Sequence, residues 1–168
     1  MRIRLLFLFV IVALFSINLS AQTKMSDAKL SREFVGVWQD APHVAAGMSN
    51  LYRFYGNGNF KFETSQMAWS KRERAFAGKW QIKDGKLILT ITNRTEIVGG
   101  RKVKTDEASG SGDIYEIVGG KTVTRKIKPA KIETYKLGKL QNGEMSKFIK
   151  IGNVKFWRLS KNPKDYAN

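Results

Sequence analysis

No cysteine occurs anywhere in the 168 residues. That excludes disulfide staples, thiolate metal sites, nucleophilic thiols and a lipid-bearing cysteine behind an export signal. Histidine occurs once, as His43, too few for a zinc site that gathers three or four ligands. After Phe15 no second long apolar run follows, so no transmembrane span is expected there. Helical patterns of the length that would separate parallel strands are missing too, which argues against a βαβ architecture. Acidic residues are scarce: 14 Asp and Glu stand against 30 Lys and Arg, a formal net charge of +16. Such an excess attracts polyanions without selecting among them.

What is present begins with an export signal. Arg2 and Arg4 form a positive start, Leu5 to Phe15 is unbroken apolar sequence, and Ser16 to Ala21 is small and polar with cleavage expected near Ala21. The apolar stretch of 11 residues is too short to span a bilayer. Removing residues 1–21 from 168 leaves 147, with 28 basic against 14 acidic side chains, enough chain for one domain with its own core. Residues 22–32 read as a loose leader or one short helix, 33–160 as the folded domain and 161–168 as a polar, frayed tail. The expected location is the periplasm or the outside of the cell, without a lipid anchor.

From Glu33 onward, short runs of alternating apolar and polar residues are separated by turn residues, the pattern of antiparallel strands. Gly56-Asn57-Gly58-Asn59 and Asp84-Gly85 are hairpin signals, because Gly and Asn accept the positive φ of tight turns. Gly99-Gly100 and Gly119-Gly120 read as two further turns. They close a local repeat in which Glu96-Ile97-Val98-Gly99-Gly100 recurs as Glu116-Ile117-Val118-Gly119-Gly120. Ala108 to Gly112 reads as a flexible loop between two hairpins, and Pro129 as a break in the next strand. So many strands joined by tight turns predict an all-β fold, an antiparallel up-and-down barrel of about 8–10 strands that leaves no open edge. A two-sheet sandwich is the alternative.

Gly36-Val37-Trp38 resembles the G-x-W signature of the lipocalins, and Arg158 in Phe156-Trp157-Arg158-Leu159 matches the basic partner of that tryptophan near the end of the barrel. Tyr52 to Phe60, Gly78 to Ile82 and Leu87 to Ile91 are similar to bacterial lipocalin-like domains. The resemblance runs from about residue 33 to 160 and implies a lipocalin-like barrel closed at one end by Trp38 and Arg158. It implies a binder of small, mostly apolar molecules; it does not imply an enzyme.

Side-chain chemistry points the same way. His43 and Asp40 suggest an acid–base pair or metal foothold, against the simpler reading of a solvated loop histidine. Gly110-Ser111-Gly112 lacks the spacing of a nucleophile elbow, and no Gly-rich segment follows the strand-to-helix plan of a phosphate loop. Glu63, Glu73, Asp106, Glu107, Glu116 and Glu133 are the carboxylates that could pair as acid and base, but most of them alternate with apolar residues and are expected on the outer face. No catalytic residue, metal site or cofactor is therefore assigned. Tyr52, Phe54, Phe60, Phe62, Phe76, Trp80 and Phe156 should point inward, either packing a core or lining a cavity for an apolar or amphipathic ligand. The alternative is an interaction module whose basic exterior (Arg72, Arg74, Arg101, Lys102, Arg125 and Lys126) meets an anionic envelope component or a protein partner. Trp69 beside Lys71 and Arg72 suggests nucleic acid, which an exported protein disfavours.

Overall fold

A computed structural model describes residues 25–105 and 114–166. The expected signal peptide, the loop at Ala108 to Gly112 and the last two residues lie outside the described residues. Among the described residues there are one helix, α1 (Asp27–Phe34), and nine strands: β1 (Gly36–Gln39), β2 (Leu51–Phe54), β3 (Asn59–Glu63), β4 (Glu73–Lys83), β5 (Lys86–Thr105), β6 (Ile114–Lys136), β7 (Gln141–Asn142), β8 (Lys147–Ile151) and β9 (Val154–Ser160). All strands belong to one antiparallel sheet in the order β6-β5-β4-β3-β2-β1-β9-β8-β7. The fold is all-β in a single sheet rather than two.

The helix is the second of the two readings open for residues 22–32, and it continues past them to Phe34. Ser26 caps it by accepting from the Lys29 N–H at 3.4 Å, with Asp27 in the first turn and Arg32 in the last complementing the helix dipole. Leu30 and Phe34 are its buried face. Phe34 enters the core against Trp38, Phe54 and Trp80 at ring separations of 5.4, 4.6 and 5.8 Å. Asp27 pins the other end, its carboxylate accepting from the N–H groups of Asp84 and Gly85 at 2.6 and 3.1 Å. The helix is thereby fixed to the β4–β5 turn.

The sheet is not closed into the expected barrel: it curls, but no continuous ladder joins its two ends. Its two edges, β6 and β7, are nevertheless one stretch of chain joined through residues 137–140. That stretch runs onto β8 through an isolated Leu137–Ile151 bridge and backbone hydrogen bonds from Gly138 to Lys150 (2.8 Å) and from Gly152 to Lys136 (2.9 Å). This junction is called the seam below.

Several expectations change. Gly99-Gly100 and Gly119-Gly120 are not turns: Gly99 lies opposite Gly120 in the middle of one long β5–β6 ribbon. The positive φ values of Gly99, Gly100 and Gly119 (71°, 68° and 75°) are ones glycine adopts within a ladder as well as in a turn, which is why the residue types misled. Two predicted hairpins therefore merge into one. Beyond Glu96, the last β5 residue paired with β4, the ribbon continues to Thr105 and Ile114, about 30 Å at 3.3 Å per residue. Pro129 does not end its strand. The ladder passes from Asn93–Lys126 to Ile91–Lys131, so residues 127–130 form a bulge that holds the cis Lys128–Pro129 bond. The tail is not frayed over residues 161–166: the Arg53 guanidinium donates to the carbonyls of Pro163, Asp165 and Tyr166.

Candidate functional site

The seven inward aromatic residues named above come together. Tyr52 lies 5.3 Å from Phe54, 4.7 Å from Phe62 and 5.2 Å from Phe156, and Phe62 stacks on Phe76 at 4.5 Å. Phe54 meets Trp80 edge-on at 5.2 Å, and Phe60 sits 6.0 Å from Phe76. These separations are contact distances for aromatic pairs. Leu87, Leu89, Ile91, Ile149 and Ile151 complete the same cluster. The rings pack against each other, and neither of the two concavities described below is lined by them.

The base of the curled sheet holds the G-x-W residues. The Arg158 guanidinium lies 4.8 Å from the Trp38 ring centroid, and the two residues are cross-strand neighbours on β1 and β9. The Trp38 indole N–H donates to the Phe34 carbonyl at 2.8 Å, which ties the ring to the end of α1. Arg158 donates to the Glu33 carbonyl and to its carboxylate, the latter at 3.3 Å, while Lys147 reaches the same carboxylate at 2.9 Å. The Lys147 hydrogen bond is the main cause that holds the Glu33 pKa below its ordinary value; burial opposes it, and the Arg158 hydrogen bond and the charges of both cations add to the lowering. Gly36 is required by close approach: at φ 136°, a Cβ there would sit 2.2 Å from the Ser160 carbonyl oxygen. The group is a structural lock.

One inward polar patch was missed. Tyr135 and Glu133 pair with Leu87 and Leu89 across the ladder. Those leucines are fully buried, so their partners share the inner face. Glu133, expected outside, is turned inward because the bulge at residues 127–130 resets the alternation of β6. Its carboxylate accepts from the Tyr135 hydroxyl at 2.5 Å and from Lys131 at 2.7 Å. Burial acts to raise its pKa, but those two hydrogen bonds and the charge of Arg94 outweigh it and lower the value. Burial and then the Glu133 contact push Tyr135 up to about 12. Burial first, and then the neighbouring charges of Tyr135 and Glu133, push Tyr52 higher still.

The larger cavity, about 830 Å³, opens at the seam. Met25 and Leu30 line it from the helix side, Gly85 from the β4–β5 turn, and Leu137, Gly138 and Leu140 from the chain leaving β6. Its charged border consists of Lys86, Lys136 and Lys139 with Asp84. Lys86 and Lys136 are cross-strand neighbours, which concentrates positive charge on one side. The volume falls within the range of small-molecule sites. A second concavity, about 430 Å³, lies on the outer face around Arg53, Glu63 and Tyr166. Arg53 and Lys61 both donate to Glu63 there, each at 2.7 Å, and Arg74, also in the lining, donates to backbone carbonyls. Burial acts to raise the Glu63 pKa, but hydrogen bonds from Lys61 and Arg53 prevail and lower it.

Comparison with protein-family models, with curated proteins and with solved structures returned no match.

The basic residues singled out from the sequence divide by role. Arg72 donates to the carbonyls of Ile97, Gly99 and Gly100, clamping the root of the ribbon, and Arg74 donates to those of Ala68 and Trp69. Arg125 faces Glu96 at 3.6 Å, Lys102 lies 4.6 Å over the Tyr115 ring, and Arg101 and Lys126 are exposed on the ribbon. The Asp40 carboxylate accepts from the backbone N–H and side-chain amide of Asn50 at 3.0 and 2.5 Å. It therefore closes the β1–β2 loop, and His43 is exposed. Among the described residues no group of three His, Asp or Glu side chains gathers.

Proposed function

We propose that this chain is an exported, non-catalytic, lipocalin-like protein that binds a small amphipathic anion at the seam. The curled sheet is read as a lipocalin-like barrel whose wall closes through the chain between β6 and β7 rather than through a full ladder. The stack of Trp38 and Arg158 next to Gly36 supports that reading, because it is the contact the family resemblance implies. Export rests on the composition of residues 1–21.

The observation that carries the binding role is the seam cavity. Leucine and methionine side chains can hold an acyl or other apolar segment, and the cross-strand pair Lys86 and Lys136 at the border favours an acidic headgroup. An exposed charge-assisted contact of this kind contributes about 1 kcal/mol, a factor of roughly five in affinity. The aromatic cluster supplies stability in this reading, and the cavity lies at the end of the sheet where α1 is anchored. Displacement of a fluorescent acyl probe by hexadecanoate and by hexadecanol at neutral pH tests it. Saturable one-site binding, tighter for the acid, is expected. Saturable binding of neither compound would overturn the proposal.

A further inference from the structure

The opposite end of the sheet carries a second surface. The strand β4 runs from the β3–β4 loop to the Asp84-Gly85 turn, so that loop and the seam cavity lie at its two ends. Four apolar side chains are exposed there: Val44 (38%) and Met48 (49%) in the β1–β2 loop, with Met67 (50%) and Trp69 (38%) in the β3–β4 loop. The two loops are held together. Gln66 N–H donates to the Gly47 carbonyl at 2.8 Å, Ser65 Oγ to the Met48 carbonyl at 2.9 Å, and Ser65 N–H to the Asn50 side chain at 3.0 Å. Exposure of these residues is therefore built into tied loops.

Positive charge stands beside them. Lys71 and Arg72 follow Trp69, and Arg72 is hydrogen-bonded to the ribbon at Ile97, Gly99 and Gly100. Between Glu96 and Lys126 the described part of the ribbon carries six Lys and Arg against two Glu. Asp106, Glu107 and Asp113 lie outside the described residues. Along the ribbon, apolar and basic residues are cross-strand neighbours, as at Val98–Lys121 and Arg101–Val118, and Val98 and Val118 are 37% and 44% exposed.

We infer that the loop end and the root of the ribbon form a docking surface for an anionic phospholipid bilayer. Cations alone would suit any polyanion. Exposed methionine, valine and tryptophan beside them suit an interface where apolar tips enter the headgroup–acyl boundary and basic side chains meet lipid phosphates. The net positive charge complements such a surface and brings the chain to it. The surface needs no ligand in the seam cavity.

The test uses the chain from Gln22, which keeps every described residue and omits the apolar stretch Leu5 to Phe15, whose own affinity for lipid would mask the effect. Co-sedimentation with vesicles of phosphatidylcholine alone and with added phosphatidylglycerol is measured, alongside tryptophan emission. Trp38 and Trp80 are buried and Trp157 is half-buried, so an emission change reports chiefly on Trp69. Binding at least tenfold tighter to the anionic vesicles is expected, with a blue shift that Trp69→Phe removes. Trp69→Ser combined with Met67→Ser should weaken binding about tenfold, and Lys102→Glu with Lys121→Glu should abolish it. Equal binding to both vesicle types, or none, would overturn the proposal. So would binding to heparin or RNA as tight as to vesicles and insensitive to Trp69→Ser, which would identify a soluble polyanion as the partner.

Discussion

The interior of the curled sheet and its seam are both apolar, yet they differ in what fills them. Inside, aromatic rings stand 4.5 to 6.5 Å apart and Phe34 of α1 is inserted among them. At the seam, aliphatic side chains from three distant parts of the chain leave about 830 Å³ between them, bordered by lysines. Apolar residues alone therefore do not identify a binding site; how completely they satisfy each other does. Rings on neighbouring strands meet cross-strand and diagonal partners, whereas a helix end, a turn and a bent crossing segment meet at angles that side chains do not fill.

Substitutions that separate stability from binding sharpen this contrast. The largest effect on stability is expected from Phe34→Ala, which empties a fully buried ring position and should cost about 3–5 kcal/mol in denaturant unfolding. The protein that remains folded should still bind the acyl probe. Arg158→Met keeps volume but removes the stack on Trp38 and the bonds to Glu33; a loss of about 2 kcal/mol is expected by the same measurement. Acid comes next. Glu33, Glu63 and Glu133 all have lowered pKa values, so the unfolded chain binds more protons as pH falls. Their contribution is complete above the unfolded value near 4.5 and is lost as pH falls through the folded values. Glu133→Gln should flatten that acid limb in a pH series of thermal melts. The smallest stability change is expected from Leu140→Asp, about 1 kcal/mol at this half-buried site, together with at least a tenfold loss of acyl-probe affinity.

Much of the body was legible in the sequence because its signals are local. Asp84-Gly85 gave a hairpin, and alternation along the strands turned Tyr52, Phe54, Phe60 and Phe62 inward, where their rings meet. The Trp38–Arg158 contact, although 120 residues apart in sequence, was legible only through family resemblance. Features set by long-range pairing were not legible. The Gly-Gly pairs have the backbone freedom of turns but serve in mid-ribbon, since which strand each faces is decided elsewhere. Glu133 was assigned to the wrong face because a bulge at Pro129 shifts the phase of alternation, and nothing before it announces how many residues are extra. The seam cavity joins Leu30, Gly85 and Leu140, whose proximity depends on α1 being pinned by Asp27 and on the chain crossing from β6 to β8. The tail looked frayed for a related reason: its anchor is the buried Arg53, far away in sequence.

The most direct test of the central claim is where a ligand sits. Hexadecanoate titrated into isotopically labelled protein, followed by backbone amide NMR shifts, would locate it. The account predicts saturable shifts centred on Gly85, Lys136, Gly138 and Lys139, with the amides of Tyr52, Phe62 and Phe76 little affected. Shifts centred on those three aromatic residues, with the seam unmoved, would contradict it.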